Sequence, residues 1–244
     1  MTTDPITHPR ILALDTTGRA GSLLLAEGPH VRIVHALDPQ RRHAVELMPA
    51  LAELCQQLGW TPGSLQHIYI AQGPGSFTGL RIAVAVARAL HLATGCKLVG
   101  VPSLEVIAHN APAAARTIAV ALDAKRGQVF GAVFTRNDAG ALTISKPPAL
   151  YTPAELLADL PAPVYVLGEG IDYHRPALQA AGMGTATIIE TDSALWPGRA
   201  ELVHQLGWQR ACRGEWTAPE ALLPIYIRLP EAEEVWRKKH GLAL

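Results

Sequence analysis

Few side chains in this 244-residue chain are spaced for catalysis. Its ten histidines are scattered, and none forms an HExxH or HxxxH pair, so no catalytic zinc or iron is predicted. A serine hydrolase needs a GxSxG elbow, and the stretch Gly75-Ser76-Phe77 lacks that pattern. Cys55, Cys96 and Cys212 are odd in number and far apart, which suits free thiols better than a disulfide framework or a zinc ribbon. Nothing in the sequence marks one of them as a nucleophile.

The strongest signal is GPGSFTGLRIA at 73–83. It follows a β-branched run and precedes a long alanine- and valine-rich segment. In that strand–loop–helix context, backbone N–H groups can hold an anion. A Walker loop places four residues between its glycines and then Lys-Ser/Thr. Here five residues separate Gly73 from Gly79, and Leu80 and Arg81 follow. The lysine that would reach the β/γ-phosphates is missing, so this is not a P-loop NTPase. Two readings stay open. Gly73, Gly75, Ser76, Thr78 and Gly79 form an anion- or nucleotide-binding loop with Asp15 and Thr16, or the glycines only permit tight backbone packing. Asp15 is equally ambiguous. It ends an apolar segment, as Asp123 does, and two-lobed ATPases place an acidic residue at each of two facing hairpins. Yet the turns that follow, TTGRAG and AKRGQ, are not rich in acidic and hydroxyl groups. Turn capping is the competing role.

These residues must be held by regular elements. ILALD, SLLLAEG and VRIVHALD read as three strands in an antiparallel meander. Residues 44–58 have helical spacing, with Val45, Met48, Leu51, Leu54, Cys55 and Leu58 on one face and Gly59 as the stop. Pro49 would kink this helix or mark its true start. HIYIAQ is a fourth strand, and 76–94 a second helix capped by Ser76 or Thr78 and closed by Gly95. KLVGVP is a fifth strand, and SLEVIAHNA a short helix capped by Ser103. Three strands, helix, strand, helix, strand is the order of an RNase H-like unit, not of a doubly wound parallel sheet.

The pattern then restarts. TIAVALDAKRGQVFGAVF lies over RILALDTTGRAGSLLLAE, each first strand ending at an aspartate. The expected fold is α/β: a two-lobed ASKHA (actin/Hsp70-like) fold built from duplicated RNase H-like units. An N-terminal lobe is expected over 10–109 and a smaller, degenerate one over 110–244. In the second half, TPAELLADL reads as a helix capped by Thr152, and PVYVLGEG and ATIIE as strands. A helix is expected after Trp196-Pro197, then an extended LLPIYIRLPEAEE and a tail. Residues 1–9 read as a frayed leader.

The second helix is apolar on nearly all sides from Ile82 to Ala93, so it needs cover on more than one face. Ala85, Ala89 and Ala93 form a low ridge that allows close helix approach. Leu47, Leu51, Leu54 and Leu58 line up on the first helix. Packing within the lobe and an interface with another protein both account for this. Charge is balanced, 21 basic against 21 acidic side chains, with no global pull toward nucleic acid. Any role with RNA would be shared with a partner. No apolar leader and no membrane-length apolar run is read in the sequence, so a cytoplasmic location is expected.

The quoted residues resemble the TsaB (YeaZ) family, paralogues of the transferase TsaD. GPGSFTGLR is the specific element. ILALDTT, RRHAVELMPAL with Ala44 where serine is common, ALDAKRGQVFGAVF, and LPIYIRLPEA with Ile227 for leucine support it over most of the chain. The resemblance implies the ASKHA-type fold and a non-catalytic role in making N6-threonylcarbamoyladenosine at position 37 of tRNAs reading ANN codons. TsaD carries two metal-binding histidines, but the matching stretch here, VPSLEVI, holds Ser103 and Ile107 at those positions, and His109 is out of register. The resemblance further implies docking to a TsaD-like transferase through the two N-lobe helices, with Leu47, Leu51, Leu54, Arg81, Ala85, Arg88 and Ala89 at the interface. It implies a TsaE-like ATPase as a further partner, a homodimer when the chain is alone, and tRNA met through the complex. No intrinsic cofactor is implied; ATP or ADP would enter only with partners. The rival reading is an active ASKHA-type ATPase or small-molecule kinase.

Overall fold

A computed structural model describes residues 8–40, 43–228, 236 and 239–240. The predicted leader before His8, Arg41 and Arg42 of the RRHAVELMPAL segment, and most of the extended segment and tail beyond Arg228 lie outside the described residues.

The first lobe begins with the antiparallel meander β1 (Arg10–Asp15), β2 (Ser22–Glu27) and β3 (His30–Ala36). Helix α1 (His43–Gln57) leads to β4 (His67–Ala71), and α2 (Phe77–Thr94) leads to β5 (Lys97–Val101). Both added strands run parallel on the far side of β1, giving the order β3-β2-β1-β4-β5. The short α3 (Ser103–Ala108) follows.

The second sheet repeats this plan. β6 (Thr117–Asp123), β7 (Val129–Arg136) and β8 (Leu142–Tyr151) form the meander, and β9 (Val164–Leu167) and β10 (Ile188–Glu190) add in parallel, in the order β10-β9-β6-β7-β8. The crossovers are α4 (Pro153–Leu157) and α5 (Gly170–Ala180), and α6 (Ala200–Cys212) closes the order. Asp15 and Asp123 therefore end equivalent central strands. The chain is an α/β protein with two RNase H-like units, the ASKHA-type arrangement.

β1 is buried on both faces. Leu12 and Leu14 pack with α1 and α2, while Ile11 and Ala13 face the opposite way onto Ala200, Val203 and Leu206 of α6. So α6 covers the first sheet, although the sequence placed residues 110–244 together in the second lobe. Gly207 lets α6 approach: a Cβ there would meet the ring of Tyr69 at 2.5 Å. α3 belongs to both halves, with Leu104 and Ile107 in the second core and Val106 in the first. Ser103 does not cap it. That residue follows the N-cap Pro102, is fully buried, and its hydroxyl accepts from the Gly73 N–H at 2.9 Å.

Candidate functional site

The glycine loop is built by compression. Gly73 has φ +112°, and a Cβ there would meet the Ile225 carbonyl oxygen at 2.8 Å. A Cβ on Gly75 would meet the Thr17 carbonyl oxygen at 2.6 Å, and one on Gly79 the Thr16 carbonyl oxygen at 1.8 Å. These glycines press α2 onto the exit of β1. The contact is also hydrogen-bonded: Thr16 Oγ1 donates to Gly79 O at 2.8 Å and the Ser76 N–H to Thr17 O at 2.7 Å. Ser76 caps α2, its hydroxyl accepting from the Gly79 N–H at 3.3 Å. Thr78 does not cap; it is exposed within the first turn. Of the two roles open in the sequence, the geometry favours packing.

Between the lobes lies a cleft of about 1230 Å³. The loop lines one side, and the β6–β7 turn with Glu169 and Tyr173 the other. Of the two aspartates, Asp123 is among the cleft's lining residues and Asp15 is not. Asp15 is 1% exposed; its Oδ1 accepts from the Thr17 N–H and hydroxyl at 2.8 and 2.7 Å. Its Oδ2 has no hydrogen-bond partner among the described residues and faces Gly198, where a Cβ would lie 2.0 Å away. Burial raises the Asp15 carboxyl above its ordinary range, against the Thr17 hydrogen bonds and His43. A carboxyl shut in this way does not present itself to a metal or a phosphate.

Asp123 is satisfied instead. Oδ1 accepts from the Lys125 N–H and is 2.9 Å from His174 Nε2, and Oδ2 meets Lys125 Nζ at 2.5 Å. Burial works to raise this carboxyl, but the hydrogen bonds from Lys125 and His174 prevail and hold it below its usual value. Among the described residues, no group of three or more His, Cys, Asp or Glu side chains is placed to hold a metal.

The sequence did not single out Arg19, Lys125, Glu169 and Tyr173 as cleft residues, nor His174 as the partner of Asp123. Arg19 and Lys125 approach the Tyr173 ring from opposite lobes, 5.8 and 4.8 Å from its centroid. Burial raises the Glu169 carboxyl, opposed by a hydrogen bond from the Arg19 backbone. The only signal for these was the repeated hairpin, whose turn AKRGQ carries Lys125 and Arg126 at φ +61° and +55°.

The predicted interface residues divide. Leu47, Leu51 and Leu54 are buried in the first core against β1 and β2, so they cannot form an outer surface. The outer face of α1 carries Val45 and Met48, 69% and 42% exposed, which the sequence had grouped on one face with Leu51, Leu54 and Cys55; the buried stripe is Leu47, Ala50, Leu51, Leu54 and Cys55. Pro49 lies within a continuous α1. On α2 the assignment differs: Arg81, Ala85, Arg88 and Ala89 are exposed, with Ala93 and the 88% exposed Leu92, while Leu80, Ala83, Val84 and Ala87 face the sheet. The helix is long and apolar enough to cross a membrane, but its inner side belongs to the core of this lobe.

Two RNase H-like units around a cleft, with one strand-end aspartate sealed and the other neutralised, define an ASKHA-type protein without an exposed acidic pair. Comparison with known proteins gives the family. A family model described as TsaD, tRNA N6-adenosine threonylcarbamoyltransferase, matches residues 35–236. The chain is 31% identical over 229 residues to the tRNA threonylcarbamoyladenosine biosynthesis protein TsaB of Bacillus subtilis, covering 93% of this chain and 97% of the relative. It is 27% identical over 237 residues to TsaB of Escherichia coli strain K12, covering 95% and 99%. The solved structure of YeaZ from Pseudomonas aeruginosa superposes with a TM-score of 0.75 at 26% identity, covering 89% of this chain and 99% of that one. The chain belongs to the TsaB (YeaZ) family, within the wider TsaD group, and to the pathway that makes threonylcarbamoyladenosine in tRNA.

Proposed function

We propose that this chain is the non-catalytic docking and activating subunit of the complex that transfers a threonylcarbamoyl group to N6 of adenosine 37 in tRNAs reading ANN codons. It binds a TsaD-like transferase through the outer face of α1 and α2. A TsaE-like ATPase joins the pair, tRNA is met through the complex, and the chain pairs with itself through the same face when alone. The assembly works in the cytoplasm. The observation that carries this reading is the exposed face of α2, with Ala85, Ala89 and Ala93 as a low ridge beside Leu92, together with the exposed Val45 and Met48 of α1. Such a ridge lets a second helix approach closely.

The test is reconstitution. The chain should restore threonylcarbamoyl transfer to a TsaD-like enzyme that is inactive alone, and Ala89→Glu should abolish co-purification while leaving the fold intact. The substitution would bury an unpaired charge at a close helix contact, a loss of several kcal/mol. Unchanged association would count against this interface. Robust ATP turnover by the isolated chain, lost in Asp15→Ala, would favour the ATPase reading instead.

A further inference from the structure

After α6 the chain does not stay with the second lobe. It runs back along the edge of the first sheet, where the Thr217 N–H donates to Leu98 O and the Thr217 hydroxyl accepts from the Gly100 N–H. Leu222 is fully buried in the first core. Gln72 then holds the segment twice: its side chain donates to Leu223 O at 2.7 Å, and its carbonyl accepts from the Ile225 N–H at 2.8 Å.

Residues 225–228 then line the cleft. Ile225 is the backbone against which Gly73 is pressed. Tyr226 packs on Phe77 with ring centroids 5.1 Å apart, and its hydroxyl accepts from Arg81 Nε at 3.1 Å. The Arg81 guanidinium lies 3.8 Å over the Phe77 ring. Two residues on, Arg228 donates to Ala124 O and Gln128 Oε1, both in the β6–β7 turn of the second lobe. Tyr226 is therefore anchored at the first turn of α2, and Arg228 on the opposite lobe. Phe77 and Tyr226 remain 36% and 38% exposed, and Arg81 is exposed beside them, at one end of the α2 face proposed for docking. Exposed aromatic side chains clustered with arginine are the composition that concentrates binding energy in protein interfaces.

We infer that residues 222–228 are a strap that couples the docking face to the cleft: a protein partner covering the Phe77–Arg81–Tyr226 cluster fixes the strap, and the strap in turn fixes the second lobe's β6–β7 turn. This rests on the docking reading for its partner but not for the strap itself. Coupling of this kind is reciprocal, so loosening the lobe-two anchor must weaken partner binding.

The test uses the full chain with Arg228→Ala, which removes the lobe-two anchor, and Tyr226→Phe, which keeps the ring and removes the hydroxyl. Amide hydrogen exchange is read over 76–82 and 124–128, and affinity is measured for a TsaD-like partner. Arg228→Ala should speed exchange in both segments by roughly tenfold, although its hydrogen bonds to Ala124 and Gln128 lie in 124–128. It should also weaken partner binding several-fold, with Tyr226→Phe giving a smaller change in the same direction. Faster exchange confined to 124–128, with 76–82 unchanged, would overturn the strap. Ala89→Glu separates the two ideas: if it leaves partner binding intact, the docking face is wrong, while the exchange result on the free chain still decides the strap.

Discussion

Gly79→Ala is the sharpest test of what the GPGSFTG loop does. Gly79 is in the first turn of α2 with an ordinary helical backbone, so alanine should gain about 1 kcal/mol of helix propensity if space allowed. Space does not allow it. The added carbon would lie 1.8 Å from the Thr16 carbonyl oxygen and 2.9 Å from its carbon. Carbon contacts relax only near 3.5–4.0 Å, so α2 and β1 must separate by on the order of 1.5 Å. Both partners are backbone in a close-packed interior and cannot rotate away. Overpacking costs about 1–3 kcal/mol, and the strained Thr16 to Gly79 hydrogen bond adds about 1 kcal/mol. Against the propensity gain, the net loss is about 1–3 kcal/mol, read by urea unfolding. Gly63→Ala is the control: a Cβ there has nothing nearer than 3.8 Å, and stability should stay within about 0.5 kcal/mol. If Gly79→Ala matches that control, the glycines are not there for packing and the anion-loop reading returns.

Leu51→Ala should cost about 2–5 kcal/mol in the same assay, because Leu51 is fully buried on α1 and is not part of a docking surface. His67 is held down to about 4 by burial and by Lys97; a base with a lowered folded pKa stabilises fully above its unfolded value of 6.5 and loses that stability as pH falls toward 4. An unfolding titration across that window should show this loss and His67→Gln should flatten it, with the residual slope assigned to His204, whose pKa is also lowered by burial. Asp15 has the opposite sign: its raised carboxyl favours the fold below 3.8 and penalises it as pH rises through the folded value, so Asp15→Asn should gain stability over wild type toward neutral pH. A large loss at pH 7 would refute a carboxyl raised by burial.

The repeat was legible because it is written in local signals. Two apolar strands end at Asp15 and Asp123, each followed by a short basic turn, and the sheets they nucleate share one strand order. Other elements were hidden by residues whose meaning depends on tertiary position. β8 contains Pro147 and Pro148, which break a central strand but are tolerated at the sheet edge where β8 lies. α5 opens at Gly170 and contains Pro176, so it was not read as a helix. On α1, apolar residues occur at nearly every register, and periodicity alone could not choose Leu47 and Ala50 over Val45 and Met48. The destination of α6 was not readable at all: buried His204 and Gly207 blur its apolar stripe, and its packing on the first sheet is a property of the chain path.

The loop shows how a motif can keep its residues while its use differs. A phosphate cradle must leave backbone N–H groups aimed at the ligand. Here the Gly73 N–H donates to Ser103, the Ser76 N–H to Thr17 and the Gly79 N–H to the Ser76 hydroxyl. Each of these donors is satisfied within the fold, and each glycine is in contact with backbone where a ligand would otherwise approach. The same contacts fix the angle at which α2 leaves the sheet, since Thr16 and Thr17 grip its first turn. An exposed alanine ridge makes a usable interface only if the helix beneath it is rigid, because close helix contact leaves no slack for adjustment. The tightness of GPGSFTG and the exposed outer face of α2 then belong together in the proposed docking role: the loop holds still the helix whose surface is proposed to dock.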